Sequence, residues 1–160
     1  MLVGIISDTH GHVRNTLDAI QKFHTAGVEQ VIHCGDIGSP KVVELLRDWP
    51  AHFVLGNVDH DVAELQAAIA NSGHTFHDRF GSVELEGKRI AFLHGDDSRR
   101  WHSAVNDGAW DLLCYGHTHK AETRRVNTTL LLNPGAVFRA NPKSVAVVDL
   151  PTLSIQFLTW

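Results

Sequence analysis

The chain has 160 residues, 43% apolar and 20% charged, with 13 Gly, 5 Pro and a formal net charge of −4. That length suits a single domain spanning 1–160, and the composition excludes a disordered or collagen-like chain. The acidic balance argues against a duplex nucleic-acid partner, whose affinity rests on Lys and Arg neutralising phosphates, and no apolar run nears the ~18 residues of a membrane span.

Leu2–Ile6 is a short apolar run, read as a buried strand. It is too short for a signal-peptide core, and Asp8 follows at once, so a cytoplasmic location with no membrane partner is expected. Val13–Thr25 carries Val13, Leu17, Ile20 and Phe23 near helical spacing, with Ala26 next and Gly27 as a stop. Gln30–Cys34 reads as a second strand. Ser39 is a good N-cap and Pro40 suits the first helical position, with the helix over Val42–Trp49. His52–Leu55 is a third strand, and Asp61–Ala70 a third helix closed by Asn71 and Gly73. The second half changes character. Ser82–Glu86 and Arg89–His94 flank Gly87 as a hairpin, a short helix covers Arg99–Asn106, and Asp111–Tyr115 is a buried strand. Glu122–Val126 and Leu130–Leu132 flank a turn at Asn127-Thr128, and Val145–Leu150 and Leu153–Thr159 flank Pro151-Thr152. Alternating strands and helices followed by antiparallel hairpins predict an α/β protein with a mixed sheet or two packed sheets and helices outside.

Every buried strand of this set except the last hairpins ends in polar residues. Leu2–Ile6 leads to Ser7-Asp8-Thr9-His10-Gly11-His12, and the second strand to Gly35-Asp36. The third leads to Gly56-Asn57-Val58-Asp59, Arg89–Leu93 to His94-Gly95-Asp96-Asp97, and Asp111–Tyr115 to Gly116-His117-Thr118-His119. Ligands of open α/β sheets bind outside the carboxyl ends of strands, so five such loops imply one shared site. A lone Asp or His at a strand end is ordinarily a turn or capping residue, but independent turns do not require so many His. Asp8, His10, Asp36, Asn57, His94, His117 and His119 offer carboxylate, amide and imidazole donors without thiolate. That set suits Mn²⁺, with Fe²⁺, Ni²⁺ or Zn²⁺ as alternatives. Seven ligands are too many for one ion with open positions and suffice for two if a carboxylate bridges. Two ions about 3.5–4 Å apart clamp attacking and leaving oxygens in phosphoryl displacement.

At these residues the sequence resembles the calcineurin-like metallophosphoesterase superfamily, and its length resembles the compact bacterial and archaeal phosphodiesterase branch. The matching blocks are Asp8-x-His10, Gly35-Asp36, Gly56-Asn57, His94 and Gly116-His117-Thr118-His119, with Asn133-Pro134-Gly135 further on. The resemblance implies two packed mixed β-sheets, a β-sandwich, flanked by helices. It implies a first metal held by Asp8, His10 and His119, a second by Asn57, His94 and His117, and Asp36 as the bridge. A hydroxide between the ions would attack phosphorus in line, and the Asn57 amide would help meet charge on the phosphoryl oxygens. The substrate would be a small phosphate ester, and a dimer or larger homo-oligomer is reasonable, although no apolar stripe demonstrates one.

The sequence departs from the family pattern twice. Val58 stands where Gly-Asn is often followed by a His that assists the leaving group, while Asp59 keeps the acidic position. Ile37-Gly38-Ser39-Pro40 replaces the Asp and Arg that often follow Gly-Asp, so a charged phosphate contact is missing there. His12 and His60 are candidates for protonating a leaving group, and Asp59 for orienting a ligand His. Arg99 and Arg100 read as a solvated pair, Trp101 as core packing, and Cys34 and Cys114 as small buried apolar residues. His24, His33, His52, His74 and His77 read as structural or surface residues. The leading expectation is a phosphodiesterase with two metal ions. A non-catalytic interaction scaffold on the same fold, or a protein that only binds metal, are the alternatives.

Overall fold

The computed structural model describes residues 1–160. In chain order the elements are β1 (Leu2–Ile6), α1 (Val13–Ala26), β2 (Gln30–His33), α2 (Pro40–Leu45), β3 (Ala51–Phe53), α3 (Val62–Asn71) and β4 (Thr75–Phe76). There follow β5 (Phe80–Leu85), β6 (Lys88–Leu93), α4 (Ser98–Asn106), β7 (Leu112–Cys114), β8 (Ala121–Val126), β9 (Thr129–Pro134), β10 (Ser144–Asp149) and β11 (Ser154–Thr159). One sheet runs β11-β10-β1-β2-β3-β4 and the other β5-β6-β7-β9-β8. In the first, β1 to β4 are parallel neighbours and β10 and β11 are antiparallel. In the second, β6, β7 and β9 are parallel, with β5 and β8 as antiparallel edges.

The period of two along each strand builds the layers. Val3, Ile5 and Ile32 of the first sheet pack on Ile90, Phe92, Leu112 and Leu132 of the second. The intervening residues face outward: Ile6, Val31 and Phe53 meet the helices α1 to α3, and Ala91, Leu93 and Leu113 meet α4. Central strands are therefore buried on both faces, which is why they read as unbroken apolar runs. The result is two packed mixed sheets flanked by helices, as the resemblance implied.

Four local expectations change. The buried face of α1 is Asn15, Thr16, Ala19, Ile20 and Phe23, while Val13 and Leu17 are exposed. Hydrogen bonds turn the helix: Asn15 Nδ2 donates to the Val137 carbonyl at 2.9 Å and Thr16 Oγ1 to that of His12 at 2.9 Å. The second helix begins at Pro40 and stops at Leu45, four residues before Trp49, whose indole N–H donates to the Val28 carbonyl at 2.7 Å. Ser39 has the backbone of a cap, but its hydroxyl caps nothing. The two-residue strand β4 carries no sequence signal, since two residues display no period.

Several histidines are structural parts of this fold. His33 is buried, stacks on Phe53 with ring centroids 5.5 Å apart, and is pushed down to about 3 by burial. His52 Nδ1 lies 2.9 Å from His77 Nε2, and burial, then the neighbouring His77 and His74, push His52 down to about 4. Burial also lowers His74 and His77. These rings are neutral when folded and bind protons below about 6.5 when unfolded. Their contribution to stability is thus complete above that pH and is lost as pH falls toward 4 and 3, with a slope of up to about 1.4 kcal/mol per pH unit for each. Urea unfolding of the chelator-treated protein is expected to show this loss below pH 6.5. His52→Gln is expected to flatten the slope between pH 6.5 and 4, and an unaltered slope would take His52 out of the account.

Candidate metal centre

The carboxyl ends of β1, β2 and β3 lie side by side because those strands are parallel. Backbone hydrogen bonds tie their loops together: Asp8 N–H donates to the Gly35 carbonyl at 3.1 Å, His10 N–H to Asp36 at 2.9 Å and Gly11 N–H to Ile37 at 2.8 Å. In the second sheet Gly116 N–H donates to the His94 carbonyl at 3.0 Å. The two sheets' loops are also joined, among other bonds by His117 N–H donating to Asp8 Oδ2 at 3.2 Å. Two glycines permit this crowding. A Cβ on Gly56 would overlap the Asp36 carboxylate, and one on Gly116 would overlap the Ser7 hydroxyl.

The backbone is strained where the candidate ligands sit. Asp8, His10, Asp36, His117 and His119 have φ of 55°, 46°, 54°, 68° and 61°. Left-handed backbone at residues with a Cβ costs on the order of 1 kcal/mol each and persists only where the surroundings impose it. Four of these residues, Asp8, His10, Asp36 and His119, bring their side chains to one cluster.

At that point acceptor atoms converge. Asp8 Oδ1 lies 3.0 Å from His119 Nε2, 3.9 Å from His10 Nε2 and 4.0 Å from His94 Nε2. Asp36 Oδ2 lies 3.6 Å from His10 Nε2 and 3.3 Å from His94 Nε2. His94 Nδ1 bonds the Cys34 carbonyl at 2.9 Å, so Nδ1 carries the proton and Nε2 presents a lone pair in the neutral ring. That lone pair faces Asp36 and, at 3.1 Å, Asn57 Oδ1. Asp8 Oδ1 and His10 Nε2 are buried and have no hydrogen-bond partner. Buried acceptors facing one another without donors fit a cation. The donor atoms form two groups that could each hold an ion: Asp8, His10 and His119, and Asp8, Asp36 and His94.

The charges act on one another. Burial opposes a charged His94, but the Asp36 hydrogen bond and the Asp8 and Asp36 charges outweigh it and raise its pKa. Burial likewise pushes Asp36 up, and the His94 ring and the Val58 amide more than reverse it, holding Asp36 below the usual carboxylate range. Burial raises both cysteine thiols, so Cys34 and Cys114 are protonated packing residues.

The other candidates fall in different places. His117 is exposed, with its ring 5.1 Å from that of His94, and Asn57 is exposed beside the cluster. His12 lies outside the cluster and caps α1: its Nδ1 accepts from Asn15 N–H at 3.3 Å, and its ring stacks on Phe138 at 4.9 Å. Asp59 hydrogen-bonds to backbone amides rather than to a histidine, unlike the orienting role expected of it. It is buried, and it accepts from the backbone N–H groups of Gly56 at 2.8 Å, Ile37 at 3.1 Å and Gly38 at 2.8 Å. By accepting amides of both segments it staples two site loops together. His60 is exposed, and Arg100 pairs with Asp97 at 3.2 Å.

Three supporting residues carry roles that sequence reasoning did not assign. Asn133, buried in β9, donates to the Gly116 carbonyl at 2.9 Å and the Thr118 hydroxyl at 3.0 Å, which sets the loop bearing His117 and His119. Its place in Asn133-Pro134-Gly135 was the available signal. Thr9 Oγ1 lies 3.0 Å from His33 Nε2 and donates to the Ile37 carbonyl at 3.0 Å, joining the first two loops. Phe138 packs on both His10 and His12. Nothing in its local sequence marks it.

A family model described as the calcineurin-like phosphoesterase superfamily domain matches residues 1–152. A phosphodiesterase of Methanocaldococcus jannaschii is 34% identical over 138 residues, covering 84% of this chain and 83% of its own. A solved structure of an archaeal phosphodiesterase superposes with a TM-score of 0.91 at 28% identity over the full length of both chains. Vps29 of Entamoeba histolytica, solved with zinc, has a TM-score of 0.67 at 18% identity, covering 100% of this chain and 98% of its own, which is a likeness of fold. The chain belongs to the calcineurin-like phosphoesterase superfamily. It is a hydrolase of phosphate esters that uses divalent metal, and no helix in it is long and apolar enough to cross a membrane.

Asp8→Asn tests the centre without activity. An amide in place of the orphaned oxygen would donate toward His119 Nε2 while the remaining oxygen keeps the His117 bond. Relieving a buried unsatisfied acceptor is expected to stabilise the chelator-treated protein by about 1–3 kcal/mol in urea unfolding. The same change is expected to remove most of the stabilisation that added Mn²⁺ confers on the wild type.

Proposed function

We propose that this chain is a phosphodiesterase working with two divalent ions, manganese first among them. Asp8, His10 and His119 would hold one ion and Asn57, His94 and His117 the other. Asp36 would join them. The observation that carries this reading is the position of Asp36 Oδ2, 3.6 Å from His10 and 3.3 Å from His94, one residue from each set. Asp8 Oδ1 also lies near both groups, so its carboxylate holds negative charge at the centre of the cluster.

When bound, divalent ions supply Lewis acidity to phosphoryl oxygens and bring the pKa of water toward neutrality. The chain's own residues do the positioning. The exposed Asn57 amide stands at the rim, where its NH₂ can donate to a phosphoryl oxygen while its Oδ1 turns inward to His94. Cys34 and its carbonyl hold His94 in one tautomer. Asp59 is spent on three backbone amides and has no role in proton transfer. Val58 supplies no proton. His12 stacks on Phe138, which also packs on His10, and would be the leaving-group donor: with Nδ1 accepting from Asn15, its proton sits on Nε2. No arginine grips phosphate in the Ile37-Gly38-Ser39 segment, which favours a diester of single charge over a dianionic monoester. A non-catalytic scaffold would gain nothing from the buried, unpaired Asp8 and His10 atoms. The whole chain is read as one such domain, acting in the cytoplasm on a small phosphate ester.

The direct test is hydrolysis of bis- and mono-nitrophenyl phosphate by chelator-stripped protein, alone and with Mn²⁺, Mg²⁺, Ni²⁺ or Zn²⁺. Diester turnover that depends on metal is expected, highest with Mn²⁺, and Asp36→Ala is expected to abolish it with the protein still folded. Retained turnover in that variant would sink the two-ion model. His12→Asn is expected to lower kcat about 100-fold for a diester with an alkyl leaving group, in line with lost general-acid catalysis. It is expected to spare nitrophenolate, which leaves without a proton. Equal effects on both esters would remove His12 as the acid.

A further inference from the structure

A cavity of about 310 Å³ opens beside the metal centre. Gly95 and Gly116 line it, and these are the neighbours of His94 and His117. Its apolar lining is aromatic only. Trp101 of α4 and Tyr115 after β7 meet edge to face, with ring centroids 4.7 Å apart and planes at 60°. Glu122 and Arg124 enter from β8, two residues apart and therefore on one face of the strand. Glu122 Oε1 accepts from the Tyr115 hydroxyl at 2.7 Å. The Arg124 guanidinium carbon stands 5.9 Å from the Trp101 ring centroid. The side-chain ion pairs of Lys and Arg elsewhere are Lys41 with Glu44 and Arg100 with Asp97, and Arg124 is in neither. Its guanidinium also reaches the Tyr115 hydroxyl, and the rest of its five donors face no carboxylate partner.

The lining selects a class of occupant. Asp96 and Glu122 set two carboxylates against one guanidinium, which disfavours a second phosphate or any other anion. With no aliphatic side chain in the wall, an acyl tail finds no matching surface. A flat, neutral ring with donors and acceptors on its edge satisfies every group present. The volume is at the small end of ligand pockets, roughly 300–1,000 Å³.

We propose that this cavity is the subsite for the nucleoside of a nucleotide phosphodiester, whose phosphorus lies at the metal centre. The base rests against Trp101, and its edge meets Glu122 and Arg124. Tyr115 holds Glu122 in place as a positioning residue. Trp101 and Arg124 are thereby specificity determinants, which deepens the phosphodiesterase reading above and rests on it.

Two esters with the same leaving group separate the two ideas: thymidine nitrophenyl phosphate and methyl nitrophenyl phosphate, each with the Mn²⁺-loaded protein. The readout is the ratio of their kcat/KM values, in which a general loss of activity cancels. The wild type is expected to favour the thymidine ester at least about fivefold, the low end for one base stacked on an aromatic side chain. Trp101→Ala and Arg124→Ala are each expected to bring the ratio toward one, and Trp101→Phe to keep most of it. Saturation-transfer NMR of thymidine with the chelator-treated protein is expected to show binding that Trp101→Ala removes. Turnover of the methyl ester with a wild-type ratio near one would overturn the subsite, as would a ratio that neither alanine variant moves. If neither ester is cleaved with any metal, the phosphodiesterase reading fails, and the NMR measurement still decides the subsite. Arg124 is exposed on an edge strand, so its variant keeps the test open even if Trp101→Ala does not fold.

Discussion

The site depends on one carboxylate that is only half satisfied. Asp8 is fully buried at the end of the central strand β1, with Oδ2 bonded to the His117 amide of the opposite sheet and Oδ1 without a donor. The first contact locks the two sheets at their upper edge. The second leaves a negative oxygen in a poorly solvated place, facing imidazole nitrogens of three different loops. An unpaired buried charge is costly in a folded chain unless a counter-charge arrives. The fold thus carries a defect that a cation corrects.

The loops around it carry a related cost. Five candidate ligands lie in left-handed backbone, and each is held there by neighbours. Loop-to-loop amide bonds, Asp59, Asn133 and the Thr9–His33 pair impose the shape. Two sheets sharing a continuous apolar interior provide the stability that such strain draws upon. Chemistry-bearing side chains are therefore fixed by residues that never reach a substrate.

The same loops set what lies beyond the metal centre. The segments after His94 and before His117 serve twice, presenting imidazoles on one side and walling the aromatic cavity on the other. A substrate spanning both would be oriented at phosphorus and at its organic substituent together. On the proposed reading, that division would separate reactivity, assigned to His, Asp and Asn, from selectivity, assigned to Trp101, Glu122 and Arg124.

That Asp8, His10, Asp36, His94 and His119 share one site was legible in the amino-acid sequence, because buried parallel strands are unbroken apolar runs and their polar ends stand out against them; the two-sheet plan followed from the family resemblance. The lone-pair tautomer of His94 was not legible, since it follows from a carbonyl sixty positions away, that of Cys34. Asp59 looked like a partner for a histidine because acidic residues beside ligands often are. Only the folded chain shows three amides from two loops claiming it. The face of α1 was misjudged for a similar reason: apolar spacing counts side chains, whereas Asn15 reaches 122 positions along the chain to Val137. Sequence by itself determined which residue types stand at strand ends, because that is a local property of pattern. Tertiary structure alone decided which of them converge, which stay outside and what lies beside them, because those outcomes rest on contacts between residues far apart in the chain.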